Sequence, residues 1–296
     1  MNIRLICQRL SMLSIWILLA SCSSTLEKKI VIGSKNFTEQ LILAELMAQH
    51  IEAKTDLKVE RRLNLGGTFV CHQGLLSGEL DLYPEYTGTA YSAILKRPPQ
   101  NDPPRVYRET QQAYRQRFNL EWTEPFGFNN TFAMVVRGED ARRLKLKTLS
   151  DAAQHAPQWT AGFGYEFAQR ADGFPGLAKV YGLKFSGPPR TMDLGLIYRA
   201  LTAKQVDMVA GNSTDGVLSR LDLVILKDNK RYFPPYQAAP VVRQQTLQKY
   251  PALRQALANL GDRISEAEMQ QLNDRVDSQK QDVKKVVREF RKLKAL

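Results

Sequence analysis

The feature that most limits the fold of this chain is an alternation of apolar segments with two different periods. Lys29–Gly33 is a short apolar run closed by glycine and predicts a strand, whereas Glu39–Ala53 repeats its apolar residues at helical spacing. Val59–Asn64 predicts a second strand, and residues 66–68 (Gly-Gly-Thr) then turn into a second helix. Strands that alternate with helices predict an α/β fold with a mainly parallel sheet. Ligands of such sheets bind at the loops that follow the strands, where helix N-termini favour anions.

The chain is long enough for two α/β lobes, because its 296 residues suffice for two medium-sized cores. We predict that residues 29–132 and 235–296 form lobe 1, and that residues 133–234 form lobe 2. The chain then crosses between the lobes twice. Two crossing segments make a hinge with a cleft beside it, which is the geometry of a protein that closes on its ligand.

The first 22 residues carry the features of a bacterial lipoprotein signal. Arg4 and Arg9 give a positive start, and Leu10–Ala20 is an apolar run too short to span a bilayer comfortably. Cys22 follows Leu-Ala-Ser, as in a lipobox, where the cysteine after the cleavage site is lipidated. We therefore predict a signal peptide at residues 1–21 and an exported protein whose lipid on Cys22 holds it on a membrane. The alternative is a buried N-terminal helix that happens to contain a cysteine.

Charge and cysteine usage narrow the function classes. The net charge is +12, and much of the excess lies on a predicted C-terminal helix that begins near Asp282. A solvated face or attraction to anionic lipid headgroups explains this charge better than nucleic-acid binding does. Without Cys7 and Cys22 only Cys71 is left, so no internal disulfide is predicted and a buried, inert thiol is expected. The sequence has no His and Cys spacing typical of a metal site, and it predicts no cofactor.

Seven short motifs follow one another along the chain and are more specific than the alternation. They are residues 33–40 (GSKNFTEQ), 65–68 (LGGT), 78–89 (GELDLYPEYTGT), 127–131 (GFNNT), 172–177 (DGFPGL), 214–216 (TDG) and 233–236 (FPPY). As an ordered set they resemble the glycine betaine, choline and carnitine-binding proteins of osmoprotectant ABC importers. The resemblance implies the two-lobed fold of type II periplasmic binding proteins. It also implies a small quaternary-ammonium ligand, and as partner a membrane permease with a separate ATPase subunit.

The ligand class that the resemblance implies has definite chemical needs. A trimethylammonium group has no N–H to donate and is best held by the faces of aromatic rings, each worth about 0.5 to 2 kcal/mol. A carboxylate needs cationic or hydrogen-bonding donors. By position in the motifs, the resemblance assigns the carboxylate to Lys35, Thr89 and Arg170. Arg170 lies in the predicted lobe 2, so we expect it to contact the ligand only when the cleft closes.

The aromatic box that the resemblance implies is incomplete in this chain. Tyr86 and Tyr236 match two of the four tyrosines of the family pattern. Phe132 stands at the third position and keeps the ring without the hydroxyl, and Asn212 stands at the fourth, where an amide has no such face. Two other tyrosines are candidates for the missing wall: Tyr165 and Tyr198. The departures predict either a weak betaine receptor or a receptor for a larger or more polar ligand that hydrogen-bonds Asn212.

Two alternatives to a solute receptor follow from the residues. An exported hydrolase would need placed acid–base groups, and Glu79, Asp81 and Glu85 are close in sequence, but we favour a structural role in which Asp81 or Glu85 fixes a loop as a hydrogen-bond acceptor. The three histidines fit no catalytic triad, and residues 66–68 lack the Gly-Lys-Ser/Thr of a phosphate loop. We therefore predict a binding protein and no enzyme. The other alternative is an assembly or signalling subunit whose cleft has lost its ligand.

Overall fold

The structure, a computed structural model, describes residues 28–296. The predicted signal peptide and the predicted lipidation of Cys22 lie outside the described residues. Within residues 28–296 the strands are β1 (Lys29–Gly33), β2 (Lys58–Arg62), β3 (Leu82–Tyr86), β4 (Leu120–Trp122), β5 (Phe132–Arg137), β6 (Ala161–Phe163), β7 (Arg190–Thr191), β8 (Met208–Asn212), β9 (Leu223–Ile225) and β10 (Ala238–Arg243).

The α-helices of the same part of the chain lie between and after these strands. They are α1 (Thr38–Lys54), α2 (Thr68–Ser77), α3 (Thr87–Thr89), α4 (Pro103–Phe118), α5 (Gly138–Leu144), α6 (Leu149–His155), α7 (Tyr165–Gln169), α8 (Phe174–Tyr181), α9 (Ile197–Thr202), α10 (Gln244–Lys249), α11 (Ala252–Ala258), α12 (Glu266–Asp277) and α13 (Val283–Leu293). A π-helical turn, Ala90–Ile94, continues α3. Within residues 28–296, no helix has both the length and the hydropathy that a bilayer span requires.

The strands form two five-stranded sheets, one in each lobe. The order is β2-β1-β3-β10-β4 in lobe 1 and β7-β6-β8-β5-β9 in lobe 2. The prediction of mainly parallel sheets is wrong, because β10 runs antiparallel to β3 and β4, and β5 runs antiparallel to β8 and β9. Both strands enter their sheet directly from the other lobe. No crossover helix precedes them, and it is the helical crossover that makes neighbouring strands parallel.

Two crossing segments, residues 123–131 and 226–237, join the two sheets. They pair with each other: Asn129 and Gln237 form an antiparallel bridge, and the Asn130 N–H donates to the Tyr236 carbonyl at 3.0 Å. The strands of the first sheet come from residues 29–122 and 238–243, and those of the second from residues 132–225. The lobe boundaries at residues 132 and 235 stay a prediction. The paired crossings place residues 129–131 and 236–237 at the base of the cleft between the lobes.

Helix α1 is the buried centre of lobe 1, with apolar residues such as Leu43 and Met47 fully inaccessible to solvent. Phe37 occupies the N-cap position of this helix and Thr38 is its first helical residue, so the Thr38 side chain does not cap it. The Thr38 hydroxyl instead donates to Asp277 at the end of α12. Ser265 and Glu268 form a capping box at the start of α12. These contacts fix the loop before α1 against the C-terminal helices, and that loop carries Lys35.

Candidate ligand-binding site

A cavity of about 190 Å³ lies between the lobes, where several strands end and the crossing segments begin. Lys35 follows β1, Tyr86 ends β3, Phe132 begins β5 and Asn212 ends β8, so strand termini from both sheets meet here. The seven predicted site residues all line this cavity: Lys35, Tyr86, Thr89, Phe132, Arg170, Asn212 and Tyr236. Loop residues beyond strand ends are the usual ligand-binding positions of α/β sheets.

Lys35 is a buried cation with a buried partner. Its Nζ forms an ion pair with Glu85 Oε1, and the two side chains are 4% and 0% exposed. Glu85 also accepts the Tyr83 hydroxyl at 2.9 Å and the Tyr86 N–H at 2.7 Å. The Lys35 Nζ lies 5.0 Å from the centroid of the Tyr86 ring. Glu85 is thus a hydrogen-bond acceptor, as predicted, although it lies in β3 itself, and its ion pair holds Lys35 where that residue lines the cavity.

Asp81 and Cys71, two other residues of the sequence analysis, have structural roles. Asp81 accepts the Val31 N–H at 2.8 Å and the Thr246 hydroxyl at 2.5 Å, which confirms the acceptor role predicted for it. Cys71 is buried in α2, and this burial raises the pKa of its thiol to about 12. A thiol with so high a pKa is a poor nucleophile at neutral pH, in agreement with the prediction of an inert cysteine.

Tyr86 is held from two sides. Its ring stacks on Phe37 with a centroid distance of 6.3 Å and an interplanar angle of 20°. Its hydroxyl donates to Glu39 Oε1 at 2.7 Å, and Glu39 itself is only 2% exposed. The donors to Glu39 come from both lobes, the first crossing and α12: Tyr86, Asn130, Thr214 and Asn273. Glu39 is not among the residues predicted from the sequence, although a carboxylate among the apolar positions of a buried helix is a signal that points to it.

Phe132 and Tyr236 form a second aromatic wall. Their ring centroids are 5.7 Å apart and the rings are nearly perpendicular, at 77°. Phe167, which also lines the cavity, packs on Phe132 with a centroid distance of 4.8 Å, and Phe233 packs behind them. The Tyr236 hydroxyl is buried and has no hydrogen-bond partner within residues 28–296. Burial raises the pKa of this phenol, so the hydroxyl stays a neutral donor at the cavity wall.

Arg170 is the cation that lobe 2 contributes. Its Nε and Nη2 donate to the two Asp172 oxygens at 3.0 and 2.6 Å, which is the bidentate geometry of a strong ion pair. The guanidinium carbon lies 5.7 Å from the centroid of the Phe132 ring. Arg170 therefore lies beside an aromatic wall, as Lys35 lies beside Tyr86, and Asp172 is a further residue that sequence reasoning missed.

Glu166 closes the cleft from the lobe 2 side. Its Oε1 accepts the Thr68 N–H at 2.6 Å, and its Oε2 accepts the Thr68 hydroxyl at 3.2 Å and Arg170 Nη1 at 3.5 Å. Thr68 is the first residue of α2 in lobe 1, so a lobe 2 carboxylate binds a helix N-terminus of the other lobe. A Cβ at Gly67 would collide with this carboxylate, which explains a glycine at that position.

Asn212 occupies the wall where the family pattern has a tyrosine. It is the register partner of Phe132 across β5 and β8, its N–H donates to Asp215 at 2.9 Å, and its amide makes a weak 3.4 Å contact with the same carboxylate. Tyr198 does not line the cavity, and its hydroxyl donates to Asp215 at 2.6 Å. Tyr165 does line the cavity and is 61% exposed, so it is the one of the two candidate tyrosines that the structure places at the cavity.

Comparison with known proteins places the chain among transport proteins. Residues 28–292 match the family described as the substrate-binding domain of ABC-type glycine betaine transport systems. The chain belongs to this family. The predicted resemblance and the predicted two-lobed type II fold are thus confirmed, and members of the family serve transport by binding substrate.

Several relatives cover nearly all of this chain. It is 37% identical to the glycine-betaine-binding protein of Pseudomonas aeruginosa, covering 88% of this chain and 86% of that one. It is 35% identical to the carnitine transport binding protein of Listeria monocytogenes, covering 92% and 90%. It is also 36% identical to the ergothioneine transport permease/ergothioneine binding protein of Helicobacter pylori, covering 89% of this chain but only 47% of that protein.

Solved structures show the same architecture. The crystal structure of a glycine betaine/carnitine/choline ABC transporter protein is 33% identical, with a TM-score of 0.72, and the match covers 89% of this chain and 98% of that one. Lactococcal OpuAC, in a closed conformation with glycine betaine, is 14% identical with a TM-score of 0.64 over 90% of this chain and 95% of that one. The second likeness concerns the fold alone.

Proposed function

We propose that this chain is the solute receptor of an ABC importer, that it acts outside the cytoplasm, and that it binds a small quaternary-ammonium osmoprotectant between its lobes. The observation that carries the proposal is that Tyr86, Phe132 and Tyr236 all border one cavity of about 190 Å³. Two of these rings already have a cation of the chain near them, at 5.0 Å for Tyr86 and 5.7 Å for Phe132. Rings with neighbours of this kind suit a trimethylammonium group.

The same cavity suits the carboxylate of a betaine. Lys35 and Arg170 line it from opposite lobes, and Thr89 adds a buried hydroxyl close to the start of the π-helical turn. Both cations are already in ion pairs with carboxylates of the chain, so a ligand carboxylate would share them. Choline lacks a carboxylate and would use the aromatic walls alone. Glycine betaine and carnitine, which relatives bind according to their names, fit both the aromatic walls and the two cations.

A larger betaine is the second candidate, and Asn212 favours it. The amide lies at the cavity wall with only a 3.4 Å side-chain contact, so it is available to a polar group that glycine betaine does not have. Ergothioneine combines a trimethylammonium, a carboxylate and a sulfur-substituted imidazole. A relative that is 36% identical is named for its binding. In this reading the imidazole ring would lie against Asn212 and Tyr165.

The remaining parts of the proposal concern partners and chemistry. The closed receptor would dock on a membrane permease whose separate ATPase supplies the energy, and the lipid predicted on Cys22 would hold the receptor beside it. No covalent change of the ligand is proposed. The two alternatives are an exported hydrolase and a subunit without a ligand, and a binding experiment distinguishes both of them from a receptor.

The test is calorimetric titration of the chain without residues 1–22, which leaves both lobes complete. The ligands are glycine betaine, choline, carnitine, proline betaine and ergothioneine. Saturable one-to-one binding of any of them supports the receptor and identifies its ligand class. Absence of heat for all five at millimolar concentration would contradict the proposal, and turnover of a ligand would point to the hydrolase instead.

A further inference from the structure

We propose that Glu39 makes the cleft selective for a cation by acting through Tyr86, without touching the ligand itself. The inference rests on the proposed function, because it concerns how the same cleft recognises a quaternary ammonium group. Glu39 does not line the cavity, whereas Tyr86 does, and the Tyr86 hydroxyl joins the two. Glu39 is therefore a positioning and specificity-determining residue behind the aromatic wall.

The geometry around Glu39 is that of a fully satisfied carboxylate. Its Oε1 accepts the Tyr86 hydroxyl at 2.7 Å and Asn130 Nδ2 at 2.8 Å. Its Oε2 accepts the Thr214 hydroxyl at 2.5 Å and Asn273 Nδ2 at 3.2 Å. Each oxygen thus accepts two hydrogen bonds, and a carboxylate has about four such acceptor positions.

These donors favour the ionised form of Glu39. The Asn273 amide also donates to the Thr214 carbonyl at 2.9 Å, which fixes its NH₂ toward Glu39. A protonated Glu39 would direct its own O–H at one of four groups that already donate, so one hydrogen bond would be lost. Burial raises the pKa of Glu39, and the four hydrogen bonds oppose that rise. The surrounding groups therefore favour the charged form of a carboxylate that is only 2% exposed.

Three carboxylates beside the cavity, Glu85, Asp172 and Glu166, each pair with a cation, whereas Glu39 does not within residues 28–296. Lys35 pairs with Glu85, and Arg170 pairs with Asp172. Among the residues that the structure describes, no Lys, Arg or His forms an ion pair with Glu39. A buried anion without a positive partner is costly. A ligand cation in the adjacent cavity would lower that cost, and this gives the apo site a preference for a positive charge.

Tyr86 transmits the charge to the cavity. A phenol that donates to an anion gains electron density, which strengthens the attraction of its ring for a cation. The hydrogen bond also fixes the ring orientation, which the stacked Phe37 supports at a centroid distance of 6.3 Å. Replacing Glu39 should therefore weaken a cationic ligand more than a neutral ligand of the same shape.

The test compares each cation with its carbon isostere. Glycine betaine is paired with 3,3-dimethylbutanoate, and choline with 3,3-dimethylbutan-1-ol, so the charge is lost and the shape is kept. Affinities are measured by calorimetry on the purified chain without residues 1–22 and on its Glu39→Gln variant. We expect the cation-to-isostere affinity ratio to fall about tenfold in Glu39→Gln. Glu45→Gln is the matched control, because Glu45 is a buried carboxylate of the same helix, 1% exposed, that pairs with Arg61 away from the cavity.

Each outcome decides the inference. A lower ratio in Glu39→Gln with an unchanged ratio in Glu45→Gln supports it, and equal loss of both ligands, or no loss, overturns it in favour of a structural role. If Glu39→Gln does not fold, Tyr86→Phe carries the test, since it keeps the ring and removes the link, and an unchanged ratio there overturns the inference. If the unsubstituted chain binds none of the four compounds, the proposed function fails for these ligands, and that result precedes any variant.

Discussion

The two cations that face the cleft are held in different ways. Lys35 in lobe 1 pairs with Glu85, which is 0% exposed and is itself fixed by Tyr83 and the backbone of β3. Arg170 in lobe 2 pairs with Asp172, two residues away on the same short segment, and with Glu166, whose side chain is 34% exposed. The core of lobe 1 therefore fixes its cation before any ligand arrives. The cation of lobe 2 is held by carboxylates of its own segment, Glu166 and Asp172, so we expect closure of lobe 2 onto lobe 1 to complete the site.

The largest effect is expected for Glu85→Gln, which tests whether lobe 1 holds its cation more firmly than lobe 2 does. It leaves the Lys35 charge buried without a charged partner, and removing one member of a buried ion pair costs about 3–5 kcal/mol. We expect a loss of this size in the free energy of unfolding, measured by urea denaturation. Asp172→Asn is the counterpart in lobe 2 and should cost less, because Glu166 still contacts Arg170 at 3.5 Å.

A double variant separates the charge effect from a packing defect. Lys35→Met with Glu85→Gln removes both charges, and we expect it to be more stable than Glu85→Gln alone, since no unpaired charge stays in the core. If the single and double variants are equally unstable, or if Asp172→Asn costs as much as Glu85→Gln, then lobe 1 does not fix its cation more firmly than lobe 2.

The second prediction concerns Arg170→Ala and ligand choice. Hydrogen bonds to charged groups contribute about 1.5–3 kcal/mol, so glycine betaine should bind about 10- to 150-fold more weakly. Choline lacks the carboxylate and should lose much less. Arg170→Lys keeps the charge without the planar fork and should fall between. Calorimetry with both ligands checks this, and equal losses for the two would remove Arg170 from the carboxylate clamp.

The sequence predicted the walls of the cleft but not what holds them. Of the seven predicted lining residues, six lie at strand ends or in loops and Thr89 ends the short helix α3, and local motifs indicate all of them. The pairing of Lys35 with Glu85 spans 50 positions, and the contact of Glu39 with Asn273 spans 234. Contacts over such separations leave no local periodicity in a sequence. The direction of β5 and β10 was missed for a related reason, because it depends on entry from the other lobe.

The third prediction concerns the pH dependence of stability in lobe 1, which contains two buried histidines. His50 in α1 and His72 in α2 both belong to lobe 1, and burial lowers the pKa of each to about 4. In the unfolded chain these two histidines take up protons below about pH 6.5, whereas in the folded chain they do so only near pH 4. The two histidines therefore leave the free energy of unfolding unchanged above about pH 6.5, and they lower it as the pH falls from there toward 4.

The size of that effect is bounded. Each histidine removes at most about 1.4 kcal/mol per pH unit between its two pKa values. We expect His50→Gln and His72→Gln to lose less free energy of unfolding than the unsubstituted chain between pH 7 and pH 5.5. If the free energy of unfolding falls equally with pH in all three proteins, burial does not lower the pKa of either histidine.

The smallest expected effect belongs to Glu166, the residue that joins the lobes. Glu166→Ala removes the acceptor for the Thr68 N–H and hydroxyl, and a typical hydrogen bond contributes about 0.5–1.5 kcal/mol net. Because these bonds exist only when the lobes are together, their loss should weaken every ligand by the same factor, about 2- to 10-fold. Glu166→Gln keeps one acceptor oxygen and should retain more affinity. An unequal loss for glycine betaine and choline would mean that Glu166 acts on the ligand's carboxylate through Arg170. Because Glu166 also binds Thr68, the position of Arg170 would then depend on lobe 1 as well as on its own ion pairs.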